Sequence, residues 1–195
     1  MADAAGGDEK AALRRKARTA RATLSEAFRA EAANAAAGHF FDRIALGYDE
    51  VVAGYWRIRD ELDCSPILVR LMQAGRRVLL PVVTGPDQPL DLRVWEQNSA
   101  LHDAGFGTRA PSHLAPRGVP DLILLPLLGF DAKGTRLGYG GGYYDRTIAA
   151  LRRKPLLVGL AFAVQELPEI PRHDHDIPLD AVITEDGVRF FEHTA

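Results

Sequence analysis

The chain has 195 residues, with 26 acidic side chains against 24 basic ones and a formal net charge of −2. That balance excludes a general binder of nucleic acid or anionic membranes. A single cysteine, Cys64, excludes an internal disulfide framework and a cysteine-rich zinc site.

Residues 1–8 are small and polar and are expected to be frayed; residues 9–195 are read as one domain. The opening MADAAGGDEK has no basic region ahead of an apolar run, and no stretch of 18 apolar residues follows anywhere. A cytoplasmic location is expected. From residue 9 the pattern is helical: Leu13, Ala17, Ala20 and Leu24 form an apolar stripe, and Lys10, Arg14, Arg18 and Arg21 a basic one. Between Lys10 and Arg29 seven basic residues face one acid, Glu26. Ser25 reads as the N-cap of a second, alanine-rich helix ending near Ile44.

Strands and helices then alternate. EVVAGY at 50–55 reads as a strand, Ser65-Pro66 opens a helix that ends near Gly75, and 77–83 and 90–96 are strands. LILLPLL at 122–128 is nearly all apolar, as expected of a strand buried on both faces. A helix over 142–152 and a buried strand over 156–162 follow, and Asp186-Gly187 between apolar runs signals a final hairpin. The pattern predicts an α/β fold: three α/β/α layers around a largely parallel, Rossmann-like sheet with a C-terminal hairpin.

The run GTRLGYGGGYYDR at 134–146 holds five glycines in thirteen residues, beyond the carboxyl end of the most apolar strand. Ligands of open α/β sheets bind there. Glycines remove the Cβ atoms that keep a phosphate away from backbone N–H groups, and the helix N-terminus adds donors and partial positive charge. Arg136 supplies a bidentate clamp, Asp145 a ligand for a divalent cation such as Mg²⁺, and Tyr143 and Tyr144 flat faces for stacking. The residues alone leave a purely structural tight connection open, because neither GxxxxGK[ST] nor GxGxxG is matched. His173 to Asp176 (HDHD) reads as a polar loop before the hairpin rather than as a zinc site, with Asp176 a further candidate to lie near the ligand of the glycine loop.

The run LILLPLLGFDAKGTRLGYGGGYYDR resembles the signature of the 5-formyltetrahydrofolate cyclo-ligase family. The likeness extends to Lys10 and Arg14 (K-x-x-x-R), to GYWRIRDELD, and to HDIPLDAVITE at 175–185. It implies ATP-dependent conversion of 5-formyltetrahydrofolate to 5,10-methenyltetrahydrofolate with release of ADP and phosphate, with Mg²⁺ as the metal. It implies Lys10 and Arg136 as catalytic residues. ATP would be held by Lys10, Arg14, Arg136, Gly138, Tyr139, Gly140, Gly141, Gly142, Tyr143 and Tyr144, and the metal by Asp145. The folate would meet Trp56 and Glu61, with Tyr55 and Trp95 as further wall residues; a monomer with only small-molecule partners is expected.

Many relatives carry a lysine where this chain has Gly141; its absence leaves Arg136, Lys10, Arg14 and Mg²⁺ to neutralise the triphosphate, with Lys133 a candidate to substitute. Arg18 and Arg21 are read as solvated charges. Two other readings stay open from sequence: a sugar-phosphate isomerase or acyl-CoA transferase, which would need no ATP hydrolysis, and a non-catalytic nucleotide- or RNA-associated regulator.

Overall fold

The computed structural model describes residues 2–105, 107–173 and 176–192. Helix α1 (Ala2–Ala22) starts seven residues earlier than the expected residue 9. Three of the added residues are alanine, the strongest helix former. Helix α2 (Glu26–Arg43) is capped as expected: Ser25 is extended, and its hydroxyl accepts from the Phe28 N–H at 3.1 Å.

The chain then builds β1 (Val52–Ala53), α3 (Ser65–Gln73), β2 (Val78–Val82), β3 (Asp91–Trp95), the short pair β4 (His102–Asp103) and β5 (Arg109–Ala110), and β6 (Leu122–Pro126). A second short pair follows, β7 (Gly129–Phe130) and β8 (Arg136–Leu137), then α4 (Tyr143–Ala150), β9 (Leu156–Leu160), β10 (Ala181–Thr184) and β11 (Gly187–Phe190). The first strand is much shorter than the EVVAGY run that suggested it: the Gly54 N–H makes a last bond to the Leu79 carbonyl of β2, at 2.9 Å, and the strand ends. A Cβ on Gly54 would lie 2.6 Å from a Leu68 methyl carbon, so only glycine lets α3 pack this close. The last hairpin turns at Glu185-Asp186, one residue before the expected pair, and Gly187 already sits opposite Thr184.

Seven strands form one sheet in the order β11-β10-β9-β6-β1-β2-β3. Neighbours from β10 through β2 are parallel, and the outermost strands β3 and β11 are antiparallel. The expected α/β/α layering follows from alternation along the buried strands. Leu122 and Leu124 face Phe40 of α2 and Ile67 and Leu71 of α3, whereas Ile123 and Leu125 face Ile148 of α4. Helix α1 lies apart from these two cores. Its Ala17 is buried with Leu128, Leu137, Leu167 and Ile170, beside the loop that leaves β6. Among the described residues no helix is long and apolar enough to cross a membrane.

Candidate functional site

Five parallel strands end on one side of the sheet, and a cleft of about 1260 Å³ opens there. Tyr55 and Trp56 reach it from beyond β1, Pro81 and Val83 from β2 and its exit, and Pro126 from β6. Helix α1 covers one side with Lys10, Arg14, Arg18 and Arg21, and the glycine loop 138–142 with the first turn of α4 forms another. Every sequence-predicted site residue lines this cleft except Trp95. Trp95 stands behind Trp56 instead, edge to face at 6.2 Å between ring centres, and fixes that ring from the core side.

The loop geometry answers why glycines concentrate here. Gly140 and Gly142 have φ of +99° and +63°, in the left-handed region that other residues enter at a cost. Gly142 is also the N-cap of α4 and provides no side-chain cap, so the first N–H groups of that helix are left for another acceptor. Arg14 donates from Nε to the Gly138 carbonyl at 2.9 Å and ties the loop to α1. The second tyrosine of the pair is less available than expected: Tyr144 packs against the Ile148 core, and Tyr143 is the ring that borders the open loop.

Three of the cleft's cations hold carboxylates. Lys10 Nζ lies 2.6 Å from Asp176 Oδ2. Arg136, 7% exposed, is hydrogen-bonded to Asp145. Arg21 donates to Asp60 Oδ1 at 2.7 Å and to the Tyr139 hydroxyl at 2.9 Å. Burial works against ionisation of Asp60, but hydrogen bonding and proximity to Arg21 hold its carboxyl below the ordinary range. Arg21 is therefore no solvated charge: its side chain is 3% exposed and links α1 to both walls of the cleft. The stripe spacing carried this signal, since Arg21 extends the row of Lys10 and Arg14, but burial of the last member is a tertiary effect. Arg18 stays exposed at the cleft edge.

The opposite wall is apolar and acidic. Glu61 is 3% exposed; its Oε2 accepts from the Ile58 N–H at 2.8 Å. Burial raises its carboxyl above the usual range, partly offset by Tyr139 and the Ile58 N–H. Tyr55 is buried, and its hydroxyl donates to the Leu62 carbonyl, so it braces the Glu61 turn from inside. Of the three acids in RIRDELD, Asp60 pairs with Arg21, Asp63 accepts from the Ser65 N–H, and Glu61 is the one buried at the cleft beside Trp56.

Lys133 lies elsewhere. It is 75% exposed, pairs with Glu169 at 2.9 Å, and does not reach the cleft, so it cannot replace a loop lysine. Of the HDHD stretch, Asp174 and His175 fall outside the described residues, while His173 and Asp176 line the cleft. Among the described residues no group of three or more His, Cys, Asp or Glu is assembled for a metal ion. The backbone beside Asp176 approaches Asp145, with the Ile177 N–H 3.5 Å from Asp145 Oδ1, and both aspartates line the cleft. Carboxylates of this kind are the hard oxygen donors that Mg²⁺ takes, completing its shell with water and phosphate oxygens.

The model of the 5-formyltetrahydrofolate cyclo-ligase family matches residues 7–185. A 5-formyltetrahydrofolate cyclo-ligase of Mus musculus is 43% identical over 144 residues, covering 67% of this chain and 70% of its own. The enzyme of that name from Escherichia coli K12 is 34% identical over 142 residues, covering 68% and 76%. Among solved structures, the 5,10-methenyltetrahydrofolate synthetase of Aquifex aeolicus superposes with a TM-score of 0.82 at 31% identity, over 95% of this chain and 94% of that one.

Proposed function

This chain belongs to the 5-formyltetrahydrofolate cyclo-ligase family, and from that premise we propose that the cleft is the active site for the family reaction. The reaction is ATP-dependent closure of 5-formyltetrahydrofolate to 5,10-methenyltetrahydrofolate, with release of ADP and phosphate. One observation carries the placement: a bare loop flanked by Arg14 and Arg136 faces, across a single cavity, a buried carboxylate beside an indole. One wall suits a triphosphate, the other a flat heterocycle with N–H donors.

On this reading ATP lies along the loop, its phosphates against Lys10, Arg14 and Arg136 and the free N–H groups of α4. Glu61 accepts from the pterin N–H groups, and Trp56, backed by Trp95, packs on the ring. The formyl oxygen attacks the γ-phosphorus, ADP departs, and the carbon gains a phosphate leaving group. N10 then adds to that carbon, phosphate is expelled, the N10 proton passes to solvent or phosphate, and the methenyl bridge remains. Positioning and charge neutralisation supply the catalysis, so no nucleophilic side chain is needed. Mg²⁺ would be held by Asp145 and Asp176, and when bound it neutralises phosphate charge. Each carboxylate carries a cation meanwhile, Arg136 and Lys10, which a bound triphosphate would draw away.

We place the reaction in the cytoplasm, in one domain acting as a monomer on small molecules. The test mixes the protein with 5-formyltetrahydrofolate and MgATP and follows the methenyl chromophore and ADP together, with an ATP-free control. Chromophore growth without ADP release, or neither, ends the proposal.

A further inference from the structure

The family resemblance implies a loop lysine where this chain has Gly141, and Lys133 lies outside the cleft, paired with Glu169. The loop itself offers no side chain at positions 138 and 140–142. We propose that Arg146, in the first turn of α4, is the catalytic cation that meets the terminal phosphate of ATP in place of that lysine. The inference rests on the ATP site proposed above.

The glycines show what fills the space their side chains leave. A Cβ on Gly140 would lie 3.5 Å from the guanidinium carbon of Arg14, and a Cβ on Gly142 would lie 2.7 Å from Nη1 of Arg146. Two guanidinium groups therefore occupy the two left-handed positions on either side of Gly141. Arg146 Nη2 donates to the Gly141 carbonyl at 2.6 Å, so its charge rests on the residue from which a lysine would otherwise extend. The guanidinium carbon stands 5.3 Å from the Tyr143 ring centre, and Nε is buried with no hydrogen-bond partner among the described residues.

Neutralisation separates Arg146 from its neighbours. Lys10 and Arg21 hold carboxylates at 2.6 and 2.7 Å, and Arg136 is bonded to Asp145. Arg146 pairs with Asp87, at 3.7 Å and 90% exposed, an ion pair weakened by water. Arg146 is thus held in place by a carbonyl and a ring while most of its charge remains for an anion. Successive helix positions diverge by about 100°, so Asp145 turns towards Arg136 and Ile177 while Arg146 turns over the loop. A phosphate between them would meet Asp145 on one side and the Arg146 guanidinium on the other. An arginine so placed stabilises the charge that spreads over the transferring phosphoryl oxygens.

The test compares wild type, Arg146→Gln and Arg146→Gln/Gly141→Lys in the full chain. Gly141 is not in the left-handed region, and a Cβ there would meet only the Tyr143 ring, at 3.0 Å, so a lysine needs a small ring shift. Arg146→Gln is expected to lower kcat about 100-fold or more while KM for the folate stays within about threefold. It should weaken ATP binding but not ADP binding in calorimetry, because ADP lacks the phosphate that Arg146 meets. The double variant should regain at least about tenfold in kcat. A kcat within about threefold of wild type overturns the proposal, as does a loss of kcat with the ATP-to-ADP affinity ratio unchanged. A double variant no faster than Arg146→Gln counts against replacement of the lysine. Should Arg146→Gln fail to fold, Arg146→Lys replaces it; a retained preference for ATP over ADP supports the assignment, and a lost preference refutes it. If the underlying reading is wrong, the wild type itself forms no methenyl product, a different result that removes the proposal as well.

Discussion

Replacing Arg21 by Met keeps the apolar stem and removes the guanidinium. The side chain is 3% exposed, and its two terminal nitrogens serve Asp60, the Tyr139 hydroxyl and, at 3.4 Å, the Leu127 carbonyl. Removing one partner of a buried ion pair costs about 3–5 kcal/mol, because the other charge stays desolvated. Asp60 retains one-fifth of its exposure, which places this case at the lower end, about 3 kcal/mol. For a chain of this size each kcal/mol moves Tm by about 2–4 °C, so a fall of about 6–12 °C is expected at neutral pH. Asp60 is held below its ordinary range, so its contribution is present above the unfolded pKa and is lost as pH falls through the folded one. The gap between wild type and variant should therefore close in strong acid. Calorimetric melts of wild type, Arg21→Met, Asp60→Asn and the double variant give the coupling directly. A Tm shift under about 2 °C for Arg21→Met, or losses that simply add in the double variant, would refute the buried-pair reasoning.

Three further outcomes are expected. Asp145→Asn should raise the Mg²⁺ concentration for half-maximal turnover by about tenfold or more, since ligand charge sets affinity at hard-cation sites; an unchanged magnesium titration would remove Asp145 from the metal site. Glu61→Gln should raise KM for the folate about 10- to 100-fold, the worth of a charge-assisted hydrogen bond. In the wild type that KM should also rise as pH drops, starting above the range of an exposed glutamate because burial raises the Glu61 carboxyl, whose ionised form is the acceptor. A Gln variant with the same pH slope would show that another group is responsible. Lys133→Ala should leave turnover and KM for ATP within about twofold, because its charge is paired with Glu169 in water; a larger loss would contradict its placement outside the cleft.

The layering was readable because β6 is apolar on both faces while its neighbours keep their helices at regular intervals. What could not be read was length. EVVAGY looks like six residues of strand, yet pairing stops at Ala53, since Gly54 is required by the approach of Leu68 from a helix fourteen residues on. Periodicity records which face is buried, not where a distant element interrupts the ladder. The same gap explains α1: stripes predicted its two faces, but not that the basic one would be pressed against the sheet end until Arg21 lost contact with water.

The site was legible to different depths for a related reason. Glycine content marked the loop, but the residues that give it charge come from elsewhere: Arg14 from 124 positions before Gly138, Arg146 from the following helix. A glycine-rich segment announces that something must come close without saying what. Here it is approached from two sides by guanidinium groups, Arg14 donating to the Gly138 carbonyl and Arg146 to the Gly141 carbonyl. That arrangement keeps like charges together in the cleft at some electrostatic cost, limited by Asp60, Asp145 and Asp176, each on its own cation. A triphosphate with its metal would satisfy both sets at once. On the proposed reading ATP would exchange these internal ion pairs for pairs with its phosphates, and its affinity should fall with added salt.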